Sequence, residues 1–308
     1  MNTTSSYLPH ATPAGNSRRA LVLGGGGSTG NAWLIGVLAS LADAGLDVTN
    51  AHMVIGTSAG STAAAQIAGS TPAELYAAVL DAPLPQRPLP QRPRPAGTPA
   101  PGGPVPNHLE RTGRIIAAST DASDMRRRMG AAALDLAADY DGSERWRATV
   151  AARLPRQEWP DHELLITAVD ASTGEPAVFH RNSGIDLVDA VAASCSSASA
   201  YRIGDNSYID GGYRRNENAD LAAGYGLVLV LSPFGGRTRM PLEWGMQLAA
   251  QVEELRAGGS RVEVIGPDKD AEHMFGPNAM DLSLRPAAAQ AGHNQGKALA
   301  GRLREFWQ

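Results

Sequence analysis

Met53-Val54-Ile55-Gly56-Thr57-Ser58-Ala59-Gly60 runs three apolar, strand-forming residues straight into a glycine-bracketed serine, and Ser61 to Ala68 continues as small residues at helical length. In a strand, tight turn, helix sequence of this kind, a Gly-x-Ser-x-Gly pentapeptide holds a serine hydroxyl exposed at a sheet edge, near the positive end of a helix. A similar order stands earlier in the chain. Leu21-Val22-Leu23 is a short strand, four glycines follow, and Ala32 to Leu41 has the apolar density of a buried helix stopped near Gly45. Two such units in succession predict an α/β fold with a central, mostly parallel sheet flanked by helices.

Further along, Leu164 to Val169 and Pro176 to His180 are strand-like and are separated by the turn signal Ser172-Thr173-Gly174. Leu227 to Leu231 is the clearest buried strand, Gln247 to Arg256 is helical, Arg261 to Ile265 is a last strand, and Ala287 to Phe306 is a closing helix. Glu110 to Ala152 is expected to be helical, with Arg126-Arg127-Arg128 on a solvated face. The expected organisation is a disordered lead-in over residues 1–18 and one catalytic domain over 19–308. That domain is interrupted at 82–106 by a proline-rich excursion with the near-repeat Leu84-Pro85-Gln86-Arg87-Pro88 and Leu89-Pro90-Gln91-Arg92-Pro93. Proline removes backbone donors and fixes φ, so such a run forms neither helix nor central strand. It is a tolerated insertion, a lid, or a docking site for a partner.

Of the 308 residues, 43% are hydrophobic, enough for a substantial core, and 27 Lys plus Arg against 31 Asp plus Glu leave a net charge of -4. Nothing in that balance steers the chain toward nucleic acid. A single cysteine, Cys195, excludes an intramolecular disulfide and a metal site built on paired cysteines, and fits a reducing, cytoplasmic setting. Met1 to Ser17 lacks the apolar core of a secretory signal. Arg18-Arg19 precedes only four apolar residues, too few for twin-arginine export. No window reaches the length of a membrane span, so any membrane contact is expected to be peripheral. Neither a metal nor an organic cofactor is expected.

A serine hydroxyl attacks an acyl carbon only if a base takes its proton and donors receive the charge that develops on the carbonyl oxygen. Ser58 is the candidate nucleophile, against the plainer possibility that it caps a helix. Gly56 and Gly60 let the chain turn around it. The loop Gly24-Gly25-Gly26-Gly27-Ser28-Thr29-Gly30 offers backbone N–H groups free of side chains, which makes Gly25, Gly26 and Gly27 the candidate oxyanion donors, with Gly30 supporting the turn. The same loop has the Gly-x-Gly-x-x-Gly spacing of a dinucleotide site, but a dinucleotide fold requires an acid at the end of the second strand, and that strand ends in Ile55-Gly56-Thr57-Ser58.

Only one strand precedes that of Ser58, which disagrees with the usual histidine-containing hydrolase order. His180, His273 and His293 also lack turn chemistry that would mark a catalytic loop. Asp210 stands before Gly211 and Gly212, which allow the backbone to bend a carboxylate toward another loop. It is the candidate base, with a simple hairpin turn as the alternative.

Three blocks, Gly25 to Gly30, Gly56 to Gly60 and Asp210 to Gly212, together resemble in order and spacing the patatin-like phospholipases, bacterial type, which are lipid acyl hydrolases with a Ser-Asp dyad. Weaker likenesses lie at Ala192-Ala193-Ser194, Asn218 to Ala222 and Arg285 to Gly296. The resemblance implies a three-layer fold, Ser58 as nucleophile, Asp210 as base, the glycine block as oxyanion loop, and a lipid or other acyl ester as substrate. Two positions depart from the family pattern. Thr29 stands where an Arg or Lys is usual, and Ala198 where a proline is usual. Two other functions stay open: an acyltransferase or thioesterase of a biosynthetic pathway, and a non-catalytic binding module recruited through the proline-rich segment.

Overall fold

A computed structural model describes residues 17–83, 108–139 and 141–308. The expected lead-in before residue 17 and nearly all of the proline-rich excursion lie outside the described residues. The elements run β1 (Arg19–Leu23), α1 (Gly27–Asp43), β2 (Met53–Gly56), α2 (Ala59–Ile67), α3 (Pro72–Asp81), α4 (His108–Ala118), α5 (Ala122–Asp139) and α6 (Ser143–Ala151). Then follow β3 (Glu163–Asp170), β4 (Pro176–Phe179), α7 (Leu187–Ser194), β5 (Tyr201–Ile203), β6 (Asn206–Asp210), β7 (Leu227–Leu231), α8 (Leu248–Ala257), β8 (Arg261–Ile265) and α9 (Arg285–Trp307).

The strands form one sheet whose hydrogen-bonded path is β5-β6-β3-β2-β1-β7-β8, with β4 also on β3. Every pairing from β3 through β2, β1 and β7 to β8 is parallel. Around β3 the sheet turns antiparallel, through β4, β6 and the β5–β6 hairpin. β1 alternates its faces. Leu21 and Leu23 pack into a core with α1, α7 and α9, whereas Ala20 and Val22 join a second core with α8 and the segment 219–225. Both faces are covered, and for that reason β7 is apolar at all five positions rather than alternating. This is an α/β architecture with a mostly parallel central sheet between helices.

Two helices begin earlier than the residue pattern implied. α1 starts at Gly27, inside the glycine loop, and α2 starts at Ala59, directly after Ser58. Glycine's poor helix propensity hid the first turn of α1, and tertiary packing overrides it. The stretch Glu110 to Ala152 is three helices rather than one region. Arg127 and Arg128 are exposed and pair with Asp124, but Arg126 is half-buried and its Nε donates to the Gly174 carbonyl at 2.7 Å.

The registers place the site. Ile166 pairs with both Gly56 and Phe179, so β2 and β4 flank β3 on opposite edges. Ala168 pairs with both Ala177 and Asp210. β6 must therefore lie on the β2 edge of β3, taking up that edge just beyond Gly56, where β2 turns away. The last residue of β6 is Asp210, and it arrives next to the Ser58 turn.

Candidate active site

Ser58 sits in the left-handed half of backbone space, at φ 53 and ψ -115. A non-glycine residue there is strained by roughly 1–3 kcal/mol and persists only where its surroundings hold it. The surroundings are specific. The Ser58 N–H donates to Ser194 Oγ at 2.9 Å, and the Thr57 N–H donates to the Leu23 carbonyl at 3.1 Å. Gly60 has to be glycine, because a Cβ there would collide with that same Leu23 carbonyl oxygen. The close approach brings the end of β1, and with it the glycine loop, alongside the serine turn.

Although Ser58 occupies the N-cap position of α2, its side chain makes no capping bond. Ser58 Oγ donates instead to Asp210 Oδ2 at 2.8 Å. The other carboxylate oxygen, Oδ1, accepts the Gly212 N–H at 2.8 Å. Asp210 is 7% exposed, and burial pushes its pKa from 3.8 up to about 6, against the opposing effect of the bonds from Gly212 and Ser58. Gly211 supports this arrangement, since a side chain there would drive into Thr167.

Beneath the pair lies a buried polar cluster. Thr57 Oγ1 and Thr167 Oγ1 are 2.9 Å apart, and the Asn218 amide reaches Thr57 Oγ1 at 2.9 Å, Thr167 Oγ1 at 3.2 Å, the Gly211 carbonyl at 3.2 Å and the Arg215 carbonyl at 2.6 Å. Asn218 itself is left-handed, at φ 55. It ties the serine turn to the aspartate loop. Its role could have been inferred from an asparagine's tolerance of that conformation, but nothing in the chain marks the distant threonines as its partners.

In the glycine loop, the Gly25 N–H donates to the Asn216 carbonyl at 3.0 Å, which in turn returns its amide to the Gly25 carbonyl at 3.3 Å. The Gly26 and Gly27 N–H groups have no hydrogen-bond acceptor among the described residues, and Gly27 faces the cavity at φ +65. Gly30 closes the first turn by donating to Gly26. Asn216 is anchored by Glu217, whose carboxylate also accepts from Ser232 Oγ at 2.7 Å and whose pKa burial raises. Thr29 is turned away from the cavity, with its hydroxyl donating to the Met274 carbonyl at 2.9 Å.

Ser58 opens into a cavity of about 480 Å³. Gly27, Ser28, Thr62, Trp146 and Cys195 line it, together with the exposed Met280 and Leu282. The Cys195 thiol contacts the Ser58 carbonyl at 3.2 Å, and burial pushes its pKa up to about 11, so it is held as a neutral thiol. Pro83, the last described residue at the start of the excursion, also lines the cavity.

The three histidines weighed in the sequence lie elsewhere. His293 is 3.2 Å from Asp43 and stacks on Tyr76, His273 contacts the Asp270 carbonyl, and His180 accepts from the Asn182 N–H. Among the described residues no group of three or more His, Cys, Asp or Glu could hold a metal ion, and no helix is long and apolar enough to cross a membrane.

Residues 21–223 match the family model described as patatin-like phospholipase. No curated protein sequence matches the chain. Among solved structures, VipD from Legionella pneumophila is 14% identical, with 94% of this chain and 68% of that one covered at a TM-score of 0.44. The type III effector ExoU is 15% identical, covering 96% and 54% at a TM-score of 0.41. Full-length ExoU with SpcU, from the type III secretion system of Pseudomonas aeruginosa, is also 15% identical, covering 100% and 62% at a TM-score of 0.39. The chain thus spans 54% to 68% of the length of these proteins.

Proposed function

The chain belongs to the patatin-like phospholipase family, a family of lipid ester hydrolases, and on that premise we propose that Ser58 is its nucleophile and Asp210 its general base. The observation that carries this is the 2.8 Å bond from Ser58 Oγ to Asp210 Oδ2 at the tip of a strained turn. Asp210 accepts the hydroxyl proton as Ser58 attacks the ester carbonyl, then returns it to the departing alcohol. A water molecule, activated by the same carboxylate, cleaves the acyl-enzyme. A base with its pKa near 6 is ionised at neutral pH yet more basic than an ordinary aspartate, which suits both half-reactions.

Charge on the attacked oxygen falls to the glycine loop. Gly26 and Gly27 have their N–H groups unengaged among the described residues, whereas Gly25 has its own bonded to Asn216 and serves as the fixed root of the loop. Each such donor contributes about 3 kcal/mol to the transition state. The substrate is an acyl ester whose chain enters the cavity that Trp146 and Leu282 help to line.

Ser58→Ala and Asp210→Asn should each abolish turnover of a p-nitrophenyl ester while circular dichroism stays native. A fluorophosphonate probe should label Ser58 and no other serine. Undiminished turnover in either purified variant would remove the dyad.

A further inference from the structure

The cavity at Ser58 is lined by two arginines, Arg153 and Arg285, and by no carboxylate among the described residues. Asp210 lies behind Ser58 and is occupied by Ser58 and Gly212. Arg285, the first residue of α9, donates to the Ser28 carbonyl at 2.8 Å, to Ser28 Oγ at 3.1 Å and to Asn31 Oδ1 at 3.2 Å. Asn31 donates on to Gln66 Oε1 at 2.9 Å, and Gln66 Nε2 donates to the Arg153 carbonyl at 3.1 Å. A string of hydrogen bonds thus joins the segments that carry the two guanidinium groups around the cavity. The Arg153 guanidinium lies over the Trp146 ring, 5.3 Å from its centre.

Neither arginine has an ion-pair partner among the described residues, in contrast to Arg147, Arg214 and Arg302, each of which has one. Burial, and then the neighbouring charge of Arg153, lower the pKa of Arg285. Two cations held near each other without a counter-ion, on the wall of a substrate cavity, are poised to receive an anion. A guanidinium has five N–H donors, and the three contacts of Arg285 use at most three of them. The oxyanion loop brings no charge of its own, because Thr29 is neutral and turned inward.

We propose that Arg285 and Arg153 form an anion subsite at the cavity wall that selects acyl esters carrying a phosphate group over neutral ones. The subsite rests on Ser58 being the residue that meets the acyl carbonyl. A phosphate, with several unesterified oxygens, can engage both guanidinium groups at once. Such substrates come from two sources, a phosphorylated glycerolipid or a soluble acyl thioester of coenzyme A.

Binding to Ser58→Ala protein, measured by titration calorimetry, separates the subsite from the chemistry. The probes are 1-hexanoyl lysophosphatidic acid, hexanoyl coenzyme A and neutral 1-hexanoylglycerol, all short enough to stay dissolved. At least one phosphorylated probe should bind about tenfold or more tightly than the neutral one. Adding Arg153→Gln or Arg285→Gln should each erase most of that ratio, and Arg153, being exposed and clear of the oxyanion loop, gives the cleaner variant. Whichever phosphorylated probe binds tighter identifies the source. Equal affinity for all three probes, or a ratio that survives both substitutions, would overturn the subsite. Turnover of a neutral ester is read separately, in wild-type, Ser58→Ala and Asp210→Asn proteins, and bears on the dyad alone.

Discussion

Ser58 Oγ donates to Asp210 Oδ2 across 152 residues of chain, and the carboxylate that receives it is almost wholly buried. The contact exists because β6 takes the edge of β3 that β2 leaves at Gly56. In the proposed dyad, its chemistry depends on keeping Asp210 ionised in a poorly solvated place.

Activity should therefore follow the ionisation of Asp210. Only the carboxylate can take the Ser58 proton, so kcat/KM for a neutral ester should rise with pH through a midpoint near 6 and level off above about 7. A midpoint near 4, the range of an ordinary aspartate, would show that burial does not tune this group.

The same burial makes Asp210 costly to the fold. Its folded pKa of about 6 lies above the 3.8 of an unperturbed aspartate, so the folded state binds the proton more tightly. The contribution of Asp210 to stability is highest below pH 3.8, falls as pH rises through the window to about 6, and stays lower above it. Asp210→Asn should therefore raise stability at pH 8 by up to roughly 3 kcal/mol, with the gain vanishing below pH 4. Thermal melts of both proteins at the two pH values check the sign, and an equal gain at both would refute it.

Strain at Ser58 is separable from its chemistry. Ser58→Gly and Ser58→Ala both remove the hydroxyl, but only glycine is at ease at φ 53. The glycine variant should be the more stable of the two by about 1 kcal/mol in urea denaturation, although both are inactive. Equal midpoints would mean that the turn relaxes without the side chain.

Asn218 should matter to both stability and rate. Asn218→Ala strips a buried amide from two threonine hydroxyls and two carbonyls and leaves alanine in a left-handed conformation. A loss of about 2–3 kcal/mol is expected. Ester turnover by the folded fraction should also fall, because the serine turn and the aspartate loop lose their shared anchor. A variant with wild-type kcat would limit Asn218 to a structural role.

Much of the fold was legible in the chain, and so were the residues that the structure brings together at the Ser58 turn. Apolar runs such as Leu227 to Leu231 have one use, as strands buried on both faces, and the structure places β7 and β8 within the same bounds. Local chemistry likewise singled out Ser58, Asp210 and the glycine loop, because a strand that turns through Gly-x-Ser-x-Gly and an acid before two glycines are backbone statements that neighbours in sequence suffice to make. Glycine's low propensity concealed where α1 begins, and β5 was too short and too polar to read.

Everything that depends on distant partners was decided by tertiary structure. Gly25 looked equivalent to Gly26 and Gly27 until Asn216 took its N–H, and Thr29 looked like an uncharged edge of the site until it turned to Met274. Arg285, 257 residues from Ser28, supplies the charge there. A hydrogen bond is satisfied by whichever group lies within about 3 Å, and the chain alone states which groups seek partners, while the packing of sheet and helices selects the ones they meet.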